Sequence, residues 1–445
     1  MNLFREFDKY VSVYGKPDHI ELMLCDINGI IRGKWLPADQ IEKLVSGGVR
    51  LPLSTYVPNI FGEDVAETGY GITSGDPDAR VITIPKTLKP VTWKNNNVAQ
   101  VLIEMLSEDD TIPTLSSRQI LKNTWERLMN CGLHPVVACE LEFYLFDKRE
   151  QPTQPPSVPL KNVKAQNYDL EVLDHNKGFL SDVQAASTAL GLPTDAIVAE
   201  FGPGQFEINF NHTQNILDAA DTTVFFKRLV RNIAENHGKE ATFMAKPYVN
   251  FPGSGMHVHI SMLNGHGENV FKASSGLSAK LKYAIGGLVS TMRELQAIYA
   301  PHLNSYRRFH PRSFAPCSPD WSLNNRNASI RLPDLTNDAA RIEHRVSGAD
   351  VNPYLAISGI LGGILSGVEN KTSIPAAMDS PDRVPVKKLT SDWSEAIDNF
   401  SDSETAINIY GKEYRDIYVA IRRNEKDQLA EAISPAEYSA YSGRL

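Results

Sequence analysis

Val136-Val-Ala-Cys-Glu-Leu-Glu-Phe-Tyr-Leu-Phe146 decides the reading of this chain. As a strand, its period of two places Glu140, Glu142 and Tyr144 on one face and Leu141, Phe143 and Leu145 on the other. Two carboxylates then share one surface, about 7 Å apart at Cβ. A half-exposed strand with a wet polar side would look the same, so the pattern gains meaning only if it recurs.

It recurs three times downstream. Glu200-Phe-Gly-Pro-Gly-Gln-Phe-Glu-Ile-Asn-Phe210 reads as a turn and a strand with Gln205, Glu207 and Asn209 on its polar face. Gly253-Ser-Gly-Met-His-Val-His-Ile-Ser261 puts His257, His259 and Ser261 on one side, and Arg341-Ile-Glu-His-Arg-Val346 does so with Arg341, Glu343 and Arg345. Ala328 to Leu332 adds Arg331 beside Arg326. If these faces converge, five glutamates and a histidine meet several arginines, and such a cluster needs cations to stay ionised. Oxygen-rich donors favour Mg²⁺ or Mn²⁺ over Zn²⁺. Carboxylate-held cations beside arginines are also the equipment for phosphoryl transfer. No Walker loop or dinucleotide GxGxxG is present, so a nucleotide site would be built on a sheet.

With 445 residues, 42% of them hydrophobic, the chain can bury a large core. The net charge of -8 comes from interspersed acids and bases, which argues against a nucleic-acid partner. No signal-peptide core opens the chain, and the longest apolar run, Ala356 to Val368, is short and Gly-rich, so a cytoplasmic protein without a membrane span is expected. Cys25, Cys131, Cys139 and Cys317 lack metal or disulfide spacing and are read as reduced, buried thiols.

Before the opening stretch, His19 to Trp35 predicts a hairpin turning at Asn28-Gly29, followed by a helix over 40–45 and strands over 79–84 and 98–106. This reads as a small mixed domain, 1–106, parted from 107–445 by the acidic turn-rich Ser107 to Pro113. Ser116 or Ser117 caps a helix stopped by Gly132, and Glu150 to Pro159 is a proline-rich loop. Helices are expected from Gln214 to His237 and from Leu277 to Tyr299, and the segment from Asp392 onward as an amphipathic, solvated outer layer. No internal repeat is visible.

The segments ELEFYLF (140–146), GPGQFEINF (202–210), GSGMHVHIS (253–261), NSYRRF (304–309), NNRNASIRLP (324–333) and RIEHR (341–345), with NPY behind it, occur in the order found in glutamine synthetases. The chain resembles that family over nearly its whole length. The resemblance implies an α+β protein with a small N-terminal β-grasp-like domain and a C-terminal catalytic domain built on an open antiparallel sheet. It implies a homo-oligomer, a dodecamer of two stacked rings with sites between neighbours. Carried over, Glu142, Glu200 and Glu207 would hold one cation and Glu140, His257 and Glu343 another. ATP would meet His259, Ser261, Arg326 and Arg331, and L-glutamate Gly253, Arg308 and Arg345. Glu207, Arg326 and Arg345 would act in catalysis, in which ATP converts the γ-carboxylate of glutamate to γ-glutamyl phosphate and an amine attacks it.

Departures from the family pattern bear on the amine. The DGSS-like stretch of ammonia-using enzymes reads Leu51-Pro-Leu-Ser-Thr-Tyr56, without the Asp, and the GYEAP-like loop reads Pro311-Arg-Ser-Phe-Ala-Pro316, with Phe314 for the Glu. An ammonium ion needs anionic partners to be desolvated and deprotonated, so losing both weakens ammonia use, and Phe314 suits a carbon chain. Pro252 replaces an Asn, Asp338 replaces a nucleotide-binding Lys, and the Glu200 to Glu207 interval is one residue short. These features, with VVACELEFYLFD and ATFMAKPY, resemble the γ-glutamylpolyamine or γ-glutamylputrescine synthetase branch. A second ammonium would find Glu63, Asp64 or Glu67 as candidate partners. The stretch 371–388 has no Tyr, so adenylylation there is not expected. A monoamine, ethanolamine or aromatic-amine ligase, a true glutamine synthetase, and a non-catalytic amine sensor are the alternatives.

Overall fold

The structure, a computed structural model, describes residues 3–159, 163–310, 313–335 and 338–445. Helix α1 (Leu3–Tyr14) precedes a six-stranded sheet of β1 (His19–Cys25), β2 (Ile31–Pro37), β3 (Arg50–Pro52), β4 (Asp78–Thr83), β5 (Lys89–Pro90) and β6 (Val98–Leu106), with α2 (Ile41–Val45) between β2 and β3. The order is β2-β1-β6-β4-β3, with β1 parallel to β6 and β5 also on β6. The expected hairpin is β1–β2. Its turn closes on Asp26, whose buried carboxylate accepts from the amides of Asn28 and Ile30 at 2.8 and 2.9 Å and from Arg32 at 2.9 Å. Gly29 takes the left-handed conformation there, φ +77°.

Ser116 caps α3 (Ser117–Asn130) by accepting from the Gln119 amide, and Gly132 follows at φ +69°. The second sheet then forms around β7 (His134–Asp147), together with β8 (Thr194–Ala199), β9 (Gln205–Phe210), β10 (Lys239–Thr242), β11 (Met256–Leu263), β12 (Trp321–Leu323), β13 (Ile330–Leu332) and β14 (Ile342–His344). Its order is β12-β13-β14-β11-β7-β9-β8, with β10 also on β7; β12 and β13 are parallel, the rest antiparallel. The apolar side of β7 seats Phe143 among Phe179, Phe206, Phe226 and Phe243, at ring separations of 5.7 to 6.4 Å. Helices α4 (Leu170–His175), α5 (Lys177–Ala189) and α6 (Ile216–Asn236) supply two of these rings. The other side of β7 carries Glu140 and Glu142, with Val136 and Ala138 before them and the buried Tyr144 and Phe146 after them.

The expected helix over 277–299, the outer layer from 392 onward and the buried thiols need correction. The helix over 277–299 divides into α7 (Ala279–Thr291) and α8 (Gln296–Tyr299), because Gln296 buries its amide against the backbone N–H and C=O of Thr390. The Gly-rich apolar run lies in α9 (Pro353–Glu369), a core helix pressed against α7. The C-terminal segment is four helices, α10 (Trp393–Ser401), α11 (Glu404–Tyr410), α12 (Lys412–Glu431) and α13 (Pro435–Tyr441), and it is no mere outer layer: Tyr414, Tyr418 and Arg422 are fully buried. All four thiols are free, but only Cys139 is buried; Cys25 and Cys317 are half-buried and Cys131 is exposed. Among the described residues no helix is long and apolar enough to cross a membrane.

Candidate active site

Strand register brings the acids together. Glu142 stands opposite Glu207 across β7 and β9, Glu140 opposite His257 across β7 and β11, and Glu343 beside both His259 and Arg331. Ligand atoms of Glu140, His257 and Glu343 lie within 4.8 Å of one another, and so do those of Glu142, Glu207 and His257. His257 Nδ1 is 3.3 Å from Glu140 and 3.8 Å from Glu343, while its Nε2 is 4.0 Å from Glu142. Glu200 lines the same cavity outside these two close groups, where its carboxylate accepts from the Phe201 amide at 3.3 Å.

The electrostatics divide the cluster. Burial first, then the neighbouring Glu200 charge, pushes Glu142 up to about 8; burial and the charges of Glu140, Glu142 and Glu200 push Glu207 up to about 9. Glu200 is raised as well, chiefly by burial. Burial also opposes ionisation of Glu140, but hydrogen bonds from His257 and His259 overcome it and hold that carboxyl far below the usual range. Glu343 is lowered despite burial by His257 and Arg345. Burial and Arg345 lower His257, keeping a neutral imidazole for ligation. A donor set of carboxylates and one imidazole, with two acids driven toward protonation by burial and by neighbouring negative charge, fits oxygen-preferring divalent cations.

Two cavities meet at Glu140. The first, about 550 Å³, is lined by Glu142, Glu200, Glu207, Gly253, Arg308 and Arg345, with Arg326 and Phe314 at its wall. Arg308 and Arg345 are buried there, and each keeps an Nε without a hydrogen-bond partner among the described residues, an arrangement suited to a carboxylate ligand. Gly253 is obligatory: a Cβ would stand 2.5 Å from the Ala245 carbonyl oxygen and 2.7 Å from Arg308. The second cavity, about 670 Å³, runs past His259 and Ser261. His259 Nε2 lies 2.8 Å from Glu140, and Ser261 donates to the Ala340 carbonyl at 2.9 Å. Arg331 lines neither cavity; it binds Glu343 at 2.7 Å and Asn324. Asp338, at the second cavity, pairs with Lys272 at 2.8 Å.

Other residues of the site had no role in the sequence reading. Gln205 donates to Glu142 and to the Gly253 carbonyl, both at 3.1 Å, and its own carbonyl accepts from the Gly202 amide. Asn209 donates to Glu207 at 2.9 Å, and Arg341 reaches His259 Nδ1 at 3.3 Å. All three lie on the polar strand faces, so alternation was the signal for them. Phe201 and Tyr168 also line the first cavity, from loops where no periodicity marks them, although Tyr168 holds the strained φ of +60°. Glu63 is bound to Asn59 and Gln428, and neither it, Asp64 nor Glu67 lines either cavity of this chain. In the Phe314 loop, Pro311 and Arg312 lie outside the described residues.

The fold brings carboxylates and one imidazole, a donor set suited to divalent cations, to the junction of two cavities. The sequence family described as glutamine synthetase, catalytic domain, matches residues 114–441. The chain is 36% identical to γ-glutamylputrescine synthetase PuuA of Escherichia coli (strain K12), over 97% of this chain and 93% of that one. It is 32% identical to glutamate–isopropylamine ligase of a Pseudomonas species, over 95% of each. A solved structure titled GmaS/ADP complex superposes with a TM-score of 0.85 at 24% identity, covering 98% of this chain and 99% of that one, a likeness of fold. The chain belongs to the glutamine synthetase family. It is an ATP-dependent glutamate–amine ligase, and enzymes of this family use divalent metals.

Proposed function

We propose that the enzyme joins the γ-carboxylate of L-glutamate to a polyamine such as putrescine, through γ-glutamyl phosphate. The observation that carries this reading is the first cavity, where acids fit for cations, two arginines with unpartnered Nε atoms and the Phe314 ring converge. In it, Glu142, Glu200 and Glu207 hold one divalent cation, Glu140, His257 and Glu343 a second, Mg²⁺ or Mn²⁺. When bound, these cations supply neutralisation of charge during phosphoryl transfer. Gly253, Arg308 and Arg345 bind glutamate, and Arg345 offsets negative charge on the reacting group. His259 and Ser261 receive the nucleotide in the second cavity, with Arg326 and Arg331 on the phosphate side. Glu207, in the lining of this cavity, is placed to accept the amine proton.

Residues 1–106 then form one domain and 107–445 the catalytic one, in a ring-built homo-oligomer, a dodecamer, working in the cytoplasm. The similarity to a ligase named for isopropylamine keeps a monoamine substrate as the second reading. Competition tests the choice: enzyme, glutamate, ATP and Mg²⁺ are incubated with equimolar ammonia, putrescine, ethanolamine and isopropylamine, and the products are identified by mass spectrometry. γ-Glutamylputrescine should dominate. Glutamine as the main product overturns the proposal, and a monoamide as the main product replaces putrescine with that amine.

A further inference from the structure

Resting on the glutamate–amine ligase reading, we infer that Phe201 and Phe314 together measure the carbon chain of the amine, and that the far end of the substrate is recognised by these aromatic faces and not by a carboxylate of this chain. The two rings face each other at 5.0 Å between centroids, tilted by 56°, although they come from loops more than a hundred residues apart. Phe314 is 60% and Phe201 37% exposed, yet both line the first cavity. Two large apolar rings open to water against a charged basin leave uncovered surface that an alkyl chain would remove from water.

Their placement relative to the acids gives the direction. Phe201 follows Glu200 in the chain, and its amide binds the Glu200 carboxylate at 3.3 Å, so the ring stands one residue from a proposed cation ligand. Tyr144 fixes that turn, because Gly202 leaves no room for a Cβ, which would meet the Tyr144 hydroxyl at 2.1 Å. A nitrogen reacting in front of the carboxylates can extend its chain only along the cavity wall, and the wall there is the ring pair. Of the Asp and Glu lining this cavity among the described residues, Glu140, Glu142 and Glu207 fall in the two close donor groups, and Glu200 stands beside them as a proposed cation ligand. Of the groups this chain supplies, a distal ammonium would meet the faces of Phe201 and Phe314, which attract a cation weakly, while methylenes are bound strongly. Chain length, more than a second charge, should set selectivity.

The test uses the full-length enzyme with ATP, Mg²⁺ and glutamate, and linear primary monoamines from methylamine to hexylamine, with 1,4-diaminobutane beside butylamine. Wild-type kcat/KM should rise by roughly fourfold per methylene until the ring pair is covered. In Phe201→Ala and Phe314→Ala the ratio of butylamine to methylamine should collapse by about tenfold, with the amine KM shifting more than the glutamate KM. Phe314→Leu should keep most of the slope. 1,4-Diaminobutane should stay within about fivefold of butylamine. A wild-type enzyme indifferent to chain length, Ala variants that keep the slope or lose all amines equally, or a diamine preferred far beyond butylamine would each overturn the inference while leaving the ligase reading intact. Absence of turnover with every amine would overturn both.

Discussion

Glu142 faces Glu207 across the sheet, and each is held by an amide, Gln205 for the one and Asn209 for the other. Removing one of two repelling buried carboxylates relieves strain while deleting a cation ligand. Glu142→Ala should therefore lower turnover by about a thousandfold or more, yet melt, in chelator at alkaline pH where both carboxyls are ionised, no lower than wild type; a phosphate-release assay beside thermal melts checks both halves. The pH dependence has a definite sign. Both carboxyls sit above the ordinary value, at about 8 and about 9, so folding favours their protonated forms. That contribution is complete below the ordinary carboxylate pKa and is lost as pH rises through 8 and 9. Without divalent cation the melting temperature should fall between pH 5 and 9, and added Mg²⁺ should recover most at the alkaline end, since ligation needs deprotonated acids. A cation effect greater at pH 5 than at pH 8 would contradict the assignment.

At the scale of elements, the period of two made β7, β9, β11 and β14 legible, because a half-polar strand must segregate its side chains whatever it packs against. The facing of Glu142 with Glu207 was not legible, since register depends on pairing between segments far apart in sequence. Phe201 and Tyr168 escaped notice because loop residues carry no period. Helix α9 hid for a different reason. In α9 nearly every residue from Pro353 to Leu365 is buried, so no polar face marks the turn of the helix. Its glycines serve a crossing: a Cβ on Gly287 of α7 would lie 2.2 Å from the Gly363 carbonyl oxygen and 2.5 Å from Gly367. Gly287→Val should cost about 3 kcal/mol or more by overpacking at backbone, read from urea denaturation. An unchanged midpoint would mean that α7 and α9 do not pack this closely.

For the whole molecule, one joint between the N-terminal sheet and the catalytic body is a buried polar lock on α12, beside the contacts that Asn352 makes to Asp26 and Arg228 to Glu21. Arg422 donates to Glu425 at 2.6 Å and to Asn28 of the β1–β2 turn at 2.6 Å, and Glu425 accepts from the Ile60 amide at 2.7 Å. Reading 392–445 as solvated failed here, because alternating charges look alike whether they meet water or one another. Glu425→Ala leaves a guanidinium buried and uncompensated, and should destabilise by about 3–5 kcal/mol in denaturant unfolding. A loss below 1 kcal/mol would show the lock to be dispensable. Holding this body together serves one chemistry, which we propose to be the transfer of a glutamyl group to an amine larger than ammonia. The most direct measurement of that claim is kcat/KM for putrescine against ammonia with saturating ATP, Mg²⁺ and glutamate. Putrescine should exceed ammonia by about a hundredfold or more, because the cavity offers the Phe314 ring where an ammonium ion needs an anion; equal values would contradict the account.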